Sequence, residues 1–332
     1  MDSSELWGII SPAVAQVARK HRHDPKYPSP HRYPVWHLLK VLLWCVLTDV
    51  APWVLYEKLD ARKGFRREQG FPTALISLSQ YKKRIKEPAV ALALLEFLQW
   101  TGARALRALG PQEVRVVAMD LTRLESRRGR DSKAAWGKDS RGWFWGYKLG
   151  LIASEQGVIL GLTLMRANRT EFHVNTQLLR MAQETIETAY GTMPVKYVVC
   201  DAGFDGEKTY RAAHRRLKAP ALCPPRRKRR SRAKHARKIR RAARRRTPFR
   251  YRDHQLWETP EAREIFRKRT VIEQVNGQLK EAPFRIDEIP RRQRGVRRLL
   301  LRCLAKAIFF NLAVIANVAQ GRPIRQIRLW AA

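Results

Sequence analysis

Residues 266–280 read FRKRTVIEQVNGQLK. On a helix advancing about 100° per residue, Phe266, Arg269, Glu273 and Lys280 fall within about 60° of one another. Ile265, Val271, Ile272, Val275 and Leu279 fall on the other side. The segment therefore reads as one helix with an apolar back and a front that sets an acid between two bases. An ordinary amphipathic surface helix also carries an apolar stripe and a charged face. Ordering an aromatic, an Arg, a Glu and a Lys along one stripe, however, suits a site that holds a metal ion and grips phosphate.

Two aspartates stand out in the same way. The chain has 67 Lys and Arg against 29 Asp and Glu, so a carboxylate at the end of an apolar run is conspicuous. Asp120 follows VRVVAM and Asp201 follows VKYVVC. Both runs read as interior strands, which sets both carboxylates at the carboxyl edge of a sheet, where α/β sites form. Alone, an aspartate after a strand is more often a turn residue or helix cap. With Glu273 they make three carboxylates on three elements, 81 and 72 residues apart. Hard divalent cations take oxygen ligands, and two ions about 3.5–4 Å apart can hold the attacking and leaving oxygens of a phosphodiester. Arg269 can grip phosphate bidentately, and Lys280 can do so as a point charge. Asp205 lies in the loop after Asp201 and competes with it; Asp201 is preferred because it ends the strand.

This pattern resembles the DDE transposases of bacterial insertion sequences, in the branch marked by a Tyr-Arg-Glu-Lys signature. That signature has two, three and six residues between its successive members, and Arg269, Glu273 and Lys280 match its spacing. Phe266 stands where the Tyr is expected, keeping the packing role and losing the hydroxyl. MDLT (119–122), GYKLGL (146–151) and CDAGFDG (200–206) resemble the family's first-Asp strand, its following strand and its second-Asp motif. The resemblance implies an α/β, RNase H-like catalytic core, a mixed sheet flanked by helices. It implies Asp120, Asp201 and Glu273 as catalytic metal ligands and Mg²⁺ or Mn²⁺ as cofactor. Phe266, Arg269, Lys280 and Lys148 are then expected to contact DNA, together with Arg226, Arg227, Lys228, Arg229 and Arg230. The partners implied are terminal inverted repeats and target DNA, and pairing two ends requires at least a homodimer. Two rivals keep the same fold: a DNA-binding protein that has lost catalysis, and a nuclease without strand transfer.

The elements that must position these residues are legible in outline. Residues 1–112 look helical, with apolar runs in 37–60 broken near Pro52 and a long helix over 89–106. Short helices with basic edges suit a helix-turn-helix-like DNA-binding unit, and a plain bundle fits equally. The texture changes at 113. Strands are expected over 113–122, 144–154, 157–167, 195–201 and 219–225, with helices over 176–190 and 207–218. Catalytic-domain boundaries of 113 and 320 follow, with a tail over 321–332. A basic insertion lies at about 224–258. Within it, 14 of the 21 residues 226–246 are Arg or Lys. The apolar segment 296–319 reads as a buried helix under the sheet. Glu171 and His173, in NRTEFHVN, read as a helix cap. Asp131 and Asp139 read as solvated loop residues. Trp143 and Trp145 could stack on a base, although alternate strand residues more often serve a core face.

Composition narrows the partners. Hydrophobic content is 45% and the net charge is +38, so the chain can bury a core yet repels itself unless a polyanion neutralises it. Nucleic acid is favoured over an anionic membrane, because the basic residues run along the whole chain. Cys45, Cys200, Cys223 and Cys303 are far apart, so neither a zinc site nor a disulfide framework is suggested. A reducing, cytoplasmic setting fits. The segment 299–318 is interrupted by Arg302, Lys306 and Asn311, which favours a buried helix over a membrane span. Ser126 and Ser140 lack a nearby base, so a serine nucleophile has no support.

Overall fold

The computed structural model describes residues 3–20, 35–61, 63–71, 76–110, 114–126, 131–139, 141–225, 245–281, 284–289, 295–324 and 327. Six helices precede the first strand in that description: α1 (Ser3–Lys20), α2 (Val35–Leu47), α3 (Pro52–Ala61), α4 (Lys63–Glu68), α5 (Leu78–Arg84) and α6 (Pro88–Ala108). Then come β1 (Val116–Glu125), β2 (Ala135–Asp139), β3 (Gly142–Ser154) and β4 (Ile159–Arg166). Helix and strand alternate through α7 (Asn175–Tyr190), β5 (Tyr197–Cys200), α8 (Glu207–Arg216) and β6 (Ala221–Leu222). The chain closes with α9 (Pro248–Trp257), α10 (Pro260–Arg267), α11 (Thr270–Lys280) and α12 (Val296–Ala319). Two compact units result, residues 109–278 and residues 1–108 with 279–332.

The first of these units is built on a mixed sheet in the order β2-β3-β1-β5-β6, with β4 also paired to β3. Strands β1 to β4 pair antiparallel, as hairpin connections allow, whereas β1–β5 and β5–β6 are parallel and use α7 and α8 as crossovers. The sheet accepts α7 closely because two strand positions lack side chains. A Cβ at Gly150 would stand 3.1 Å from Leu178, and one at Gly161 only 2.7 Å from Met181. Gly157 turns β3 into β4 with φ +91°, a conformation glycine adopts without strain. Across the sheet from α7, Val271 and Val275 of α11 approach that turn. The fold is thus α/β, a mixed sheet flanked by helices with a helical N-terminal region, as expected.

Four features differ from the sequence reading. Asp120 does not end its strand, because LTRLE continues β1 as far as Glu125 along the long β3. Residues 135–139 form β2, paired to the start of β3, where a polar loop was expected. Asp131 is buried rather than solvated: Tyr147 Oη donates to it at 2.8 Å, Ser126 Oγ at 3.3 Å and the Lys133 amide at 3.1 Å. Residues 266–280 are not one helix. The amides of Lys268, Arg269, Val271 and Ile272 bond to carbonyls three residues back, so the chain tightens at 268–269 and α11 starts afresh at Thr270.

In the other unit α12 packs against α6, α2 and α1, which replaces the expectation that it lies under the sheet. Its apolar residues run around the helix, so it buries nearly all of its surface. By length and composition it could cross a membrane, but 89% of its apolar window is buried inside the protein. The two buried basic residues within it each find a partner there. Arg302 stands 3.5 Å from Asp49, and Lys306 Nζ donates to the Arg285 carbonyl at 3.2 Å.

Candidate active site

The register of the parallel strands brings the two aspartates together. Met119 pairs with Cys200, so Asp120 and Asp201 are the next residues on adjacent strands. There the strands part. β1 continues with β3, whereas Asp201 turns its chain away and its own carboxylate accepts the Ala202 amide at 2.7 Å. Asp201 is therefore a cap as well as a member of the cluster, so the two readings of this residue are compatible.

Glu273 comes from the exposed side of α11. Arg269, at the tightened turn just before α11, ties the group together. Its guanidinium stands 3.7 Å from Asp201 Oδ1 and donates to Glu273 Oε1. It also lies over the Phe266 ring, 5.6 Å from the centroid. That ring packs edge-on against Trp257 at 4.7 Å. Phe266 thus serves as an aromatic support for Arg269, a role that needs no hydroxyl.

Asp120 is the most enclosed of the three carboxylates. Burial pushes its carboxyl up to about 6, opposed by the Leu121 backbone bond and Arg269, and assisted by Asp201 and Glu273. The charges of Arg269, Asp201 and Glu273 all act on Asp120, which places the four groups in one neighbourhood. Asn276 Nδ2 donates to Asp120 Oδ2 at 3.0 Å. The Asn276 Oδ1 is buried and has no hydrogen-bond partner. An unsatisfied buried acceptor is costly and calls for an ion or a water beside it.

Among the described residues no three His, Cys, Asp or Glu side chains form a ready-made ion-binding cluster. Arg269 instead forms ion pairs with both Asp201 and Glu273. The donor chemistry itself fits a hard divalent ion: carboxylate oxygens from two strands and a helix, with the orphaned Asn276 oxygen beside the most buried of them. Sequence reasoning missed Asn276, although a signal existed. At 100° per residue it lies within about 20° of Arg269 on the same helical arc.

The remaining residues disperse. Lys280 closes α11, partly buried, and belongs to the other compact unit. Lys148 pairs with Arg123, three positions along from the Asp120–Leu151 pair. Because strand neighbours alternate faces, Lys148 lies on the opposite face of the sheet from Asp120. There it stands 3.5 Å from Glu171 and donates to the Arg169 carbonyl at 3.4 Å. Glu171 belongs to a short 3-10 turn before α7, against Gly203 of the Asp201 loop. Arg226, Arg227, Lys228, Arg229 and Arg230 lie outside the described residues.

Asp205 is buried and fully engaged. Arg250 donates to it through two nitrogens at 2.8 and 2.7 Å, with Tyr210 Oη at 3.0 Å and His254 at 2.9 Å. It anchors the loop after Asp201 to α8 and α9. Asp253 does similar work, holding His214 of α8 at 2.9 Å and the Ala221 amide of β6 at 2.9 Å. Neither anchor was singled out from sequence.

Residues 111–310 match the family described as Transposase DDE domain. No curated protein and no solved structure matches the chain.

Proposed function

The chain belongs to the transposase DDE family, and on that footing we propose that it cleaves the ends of an insertion sequence and joins them to target DNA. The observation that carries this reading is that Asp120 and Asp201 each follow directly on the paired Met119 and Cys200 of neighbouring strands, with Glu273 tied to Asp201 through Arg269. Asp120, Asp201 and Glu273 would hold Mg²⁺ or Mn²⁺, as two ions when DNA is bound. Those ions would activate water and neutralise the charge that develops on phosphate.

The chain's own residues set up the chemistry. Asn276 fixes the orientation of the Asp120 carboxylate and offers its free oxygen on the same side. Arg269 has two alternative partners, the carboxylates and a phosphate, and swings to the phosphate when the carboxylates are neutralised otherwise. Phe266 keeps its ring against the guanidinium through that change. In the reaction a water oxygen attacks phosphorus at the element's end and the 3′-oxygen leaves as a hydroxyl. That hydroxyl, giving up its proton, then attacks a target phosphorus directly and the target strand's own 3′-oxygen leaves as a new hydroxyl, so no covalent link to the protein forms. Two copies of the chain, each processing one end, complete the assembly.

The test is divalent-dependent cleavage of DNA carrying the element's ends, with joining of a labelled 3′ end into a plasmid. Asp120→Ala, Asp201→Ala and Glu273→Ala each abolish cleavage while end binding survives. Asn276→Ala lowers cleavage and Mn²⁺ affinity by roughly 10- to 100-fold, as loss of a residue that orients a metal ligand does. Near-normal cleavage by any of the three alanine variants removes that residue from the site. Cleavage without joining favours the nuclease, and binding without cleavage under any ion favours the inactive protein.

A further inference from the structure

We propose that the β2–β3 hairpin is a stacking platform for an unpaired DNA base, with Trp143 as the stacking ring. This rests on the DNA-processing reading above and adds a second contact to it. Trp143 is 68% exposed, the highest value for a large apolar side chain among the described residues. Trp136, on the facing strand, is 43% exposed. Isolated exposed apolar residues are ordinary, but two tryptophans on one hairpin are not.

The register sets them together. Trp136 pairs with Trp145 and Lys138 with Trp143, so all four side chains project from one face of the hairpin. Trp136 and Trp145 meet edge to face at 5.7 Å. Lys138 Nζ lies over the Trp143 ring, 5.6 Å from its centroid. The nearby Asp139 is already engaged by Arg123 at 3.5 Å and Arg141 at 3.9 Å, which leaves Lys138 as a cation available to a phosphate on the tryptophan face. The opposite face anchors the hairpin: Phe144 is buried, and a Cβ at Gly137 would collide with Ala167. The tryptophans are therefore held on a fixed strand pair, which reduces the entropy lost on binding.

Leu151, the partner of Asp120, is eight residues along β3 from Trp143, an even number, so the two share a face. The separation is about 26 Å along the strand, or roughly eight base pairs of duplex rise. A ring with an ammonium over it suits a base and its phosphate together. Stacking tolerates any base but requires one that is not already stacked within a duplex.

The experiment uses the full-length chain in EDTA, so that binding is read without cleavage. Affinities are measured for a blunt duplex and for the same duplex with a short single-stranded overhang. The wild-type chain is expected to prefer the overhang, and Trp143→Ala to lose roughly 5- to 150-fold on that substrate alone, the effect of one lost base stack. Trp143→Phe keeps most of the preference, and its thermal melt matches wild type because the position is exposed. Equal losses on both substrates, or none, overturn the proposal. So does a shift in oligomeric state on gel filtration with DNA preference intact, which would make the patch a contact between copies. If the wild-type chain binds neither duplex, the DNA-processing reading itself fails.

Discussion

Burial pushes the Asp120 carboxyl up to about 6 from its ordinary 3.8. The direction has a consequence for stability. The folded state holds the proton more tightly than the unfolded chain, so the stability this group contributes is full below about pH 4 and is lost as pH rises through about 6. Above that, the ionised carboxylate destabilises the metal-free fold by up to about 3 kcal/mol. Asp120→Asn should therefore raise the unfolding midpoint in EDTA near pH 7.5, and the gain should vanish near pH 4. Thermal denaturation at the two pH values checks this, and a gain that does not depend on pH would contradict it. Asp120, Asp201, Glu273 and Arg269 were legible in the sequence because a carboxylate contrasts with a basic chain and with an apolar strand. Asn276 was not, because an uncharged amide makes no such contrast. The facing of Lys148 required the strand register, which one sequence does not supply.

At the scale of elements, α12 holds a second titrating group. Burial and the adjacent Arg302 lower Lys306 to about 7, against the opposing influence of Asp49, Cys303 and Glu288. Between that value and its ordinary 10.5 the unfolded chain binds the extra proton, so stability rises with pH, by at most about 1.4 kcal/mol per unit. Lys306→Met should flatten the rise between about pH 7 and 9 and stabilise the protein most at the lower end. An unchanged pH slope in chemical denaturation would show that Lys306 is charged in the fold. The same helix marks a boundary of sequence reading. Its burial was evident from composition, but a helix apolar on all sides carries no stripe to say which layer it joins. The break at 268–269 was hidden for a related reason: neither Gly nor Pro marks it, and only the shift from four-residue to three-residue backbone bonds does. By contrast, β3, β4 and β5 were legible as apolar runs bounded by turns, and α7 by its amphipathic period.

For the whole molecule the net charge of +38 governs encounter with DNA. Binding should weaken steeply with salt, each neutralised phosphate adding about 0.9 to the slope of log affinity against log salt. Deleting residues 226–246, 14 of which are Arg or Lys, should weaken binding and flatten that slope. An unchanged slope in fluorescence anisotropy titrations would mean that this run does not touch phosphate.

The division of the chain also bears on how it is made. The unit with Asp120, Asp201 and Glu273 is contiguous, residues 109–278, whereas the helical unit joins residues 1–108 to 279–332. On the ribosome the three carboxylates can reach their places while α2 and α6 still lack α12. Those helices must wait, apolar faces uncovered, through the synthesis of everything between. A stalled or truncated chain would therefore carry a formed carboxylate cluster together with an adhesive, unfinished helical half, a form that chaperones and proteases are equipped to remove.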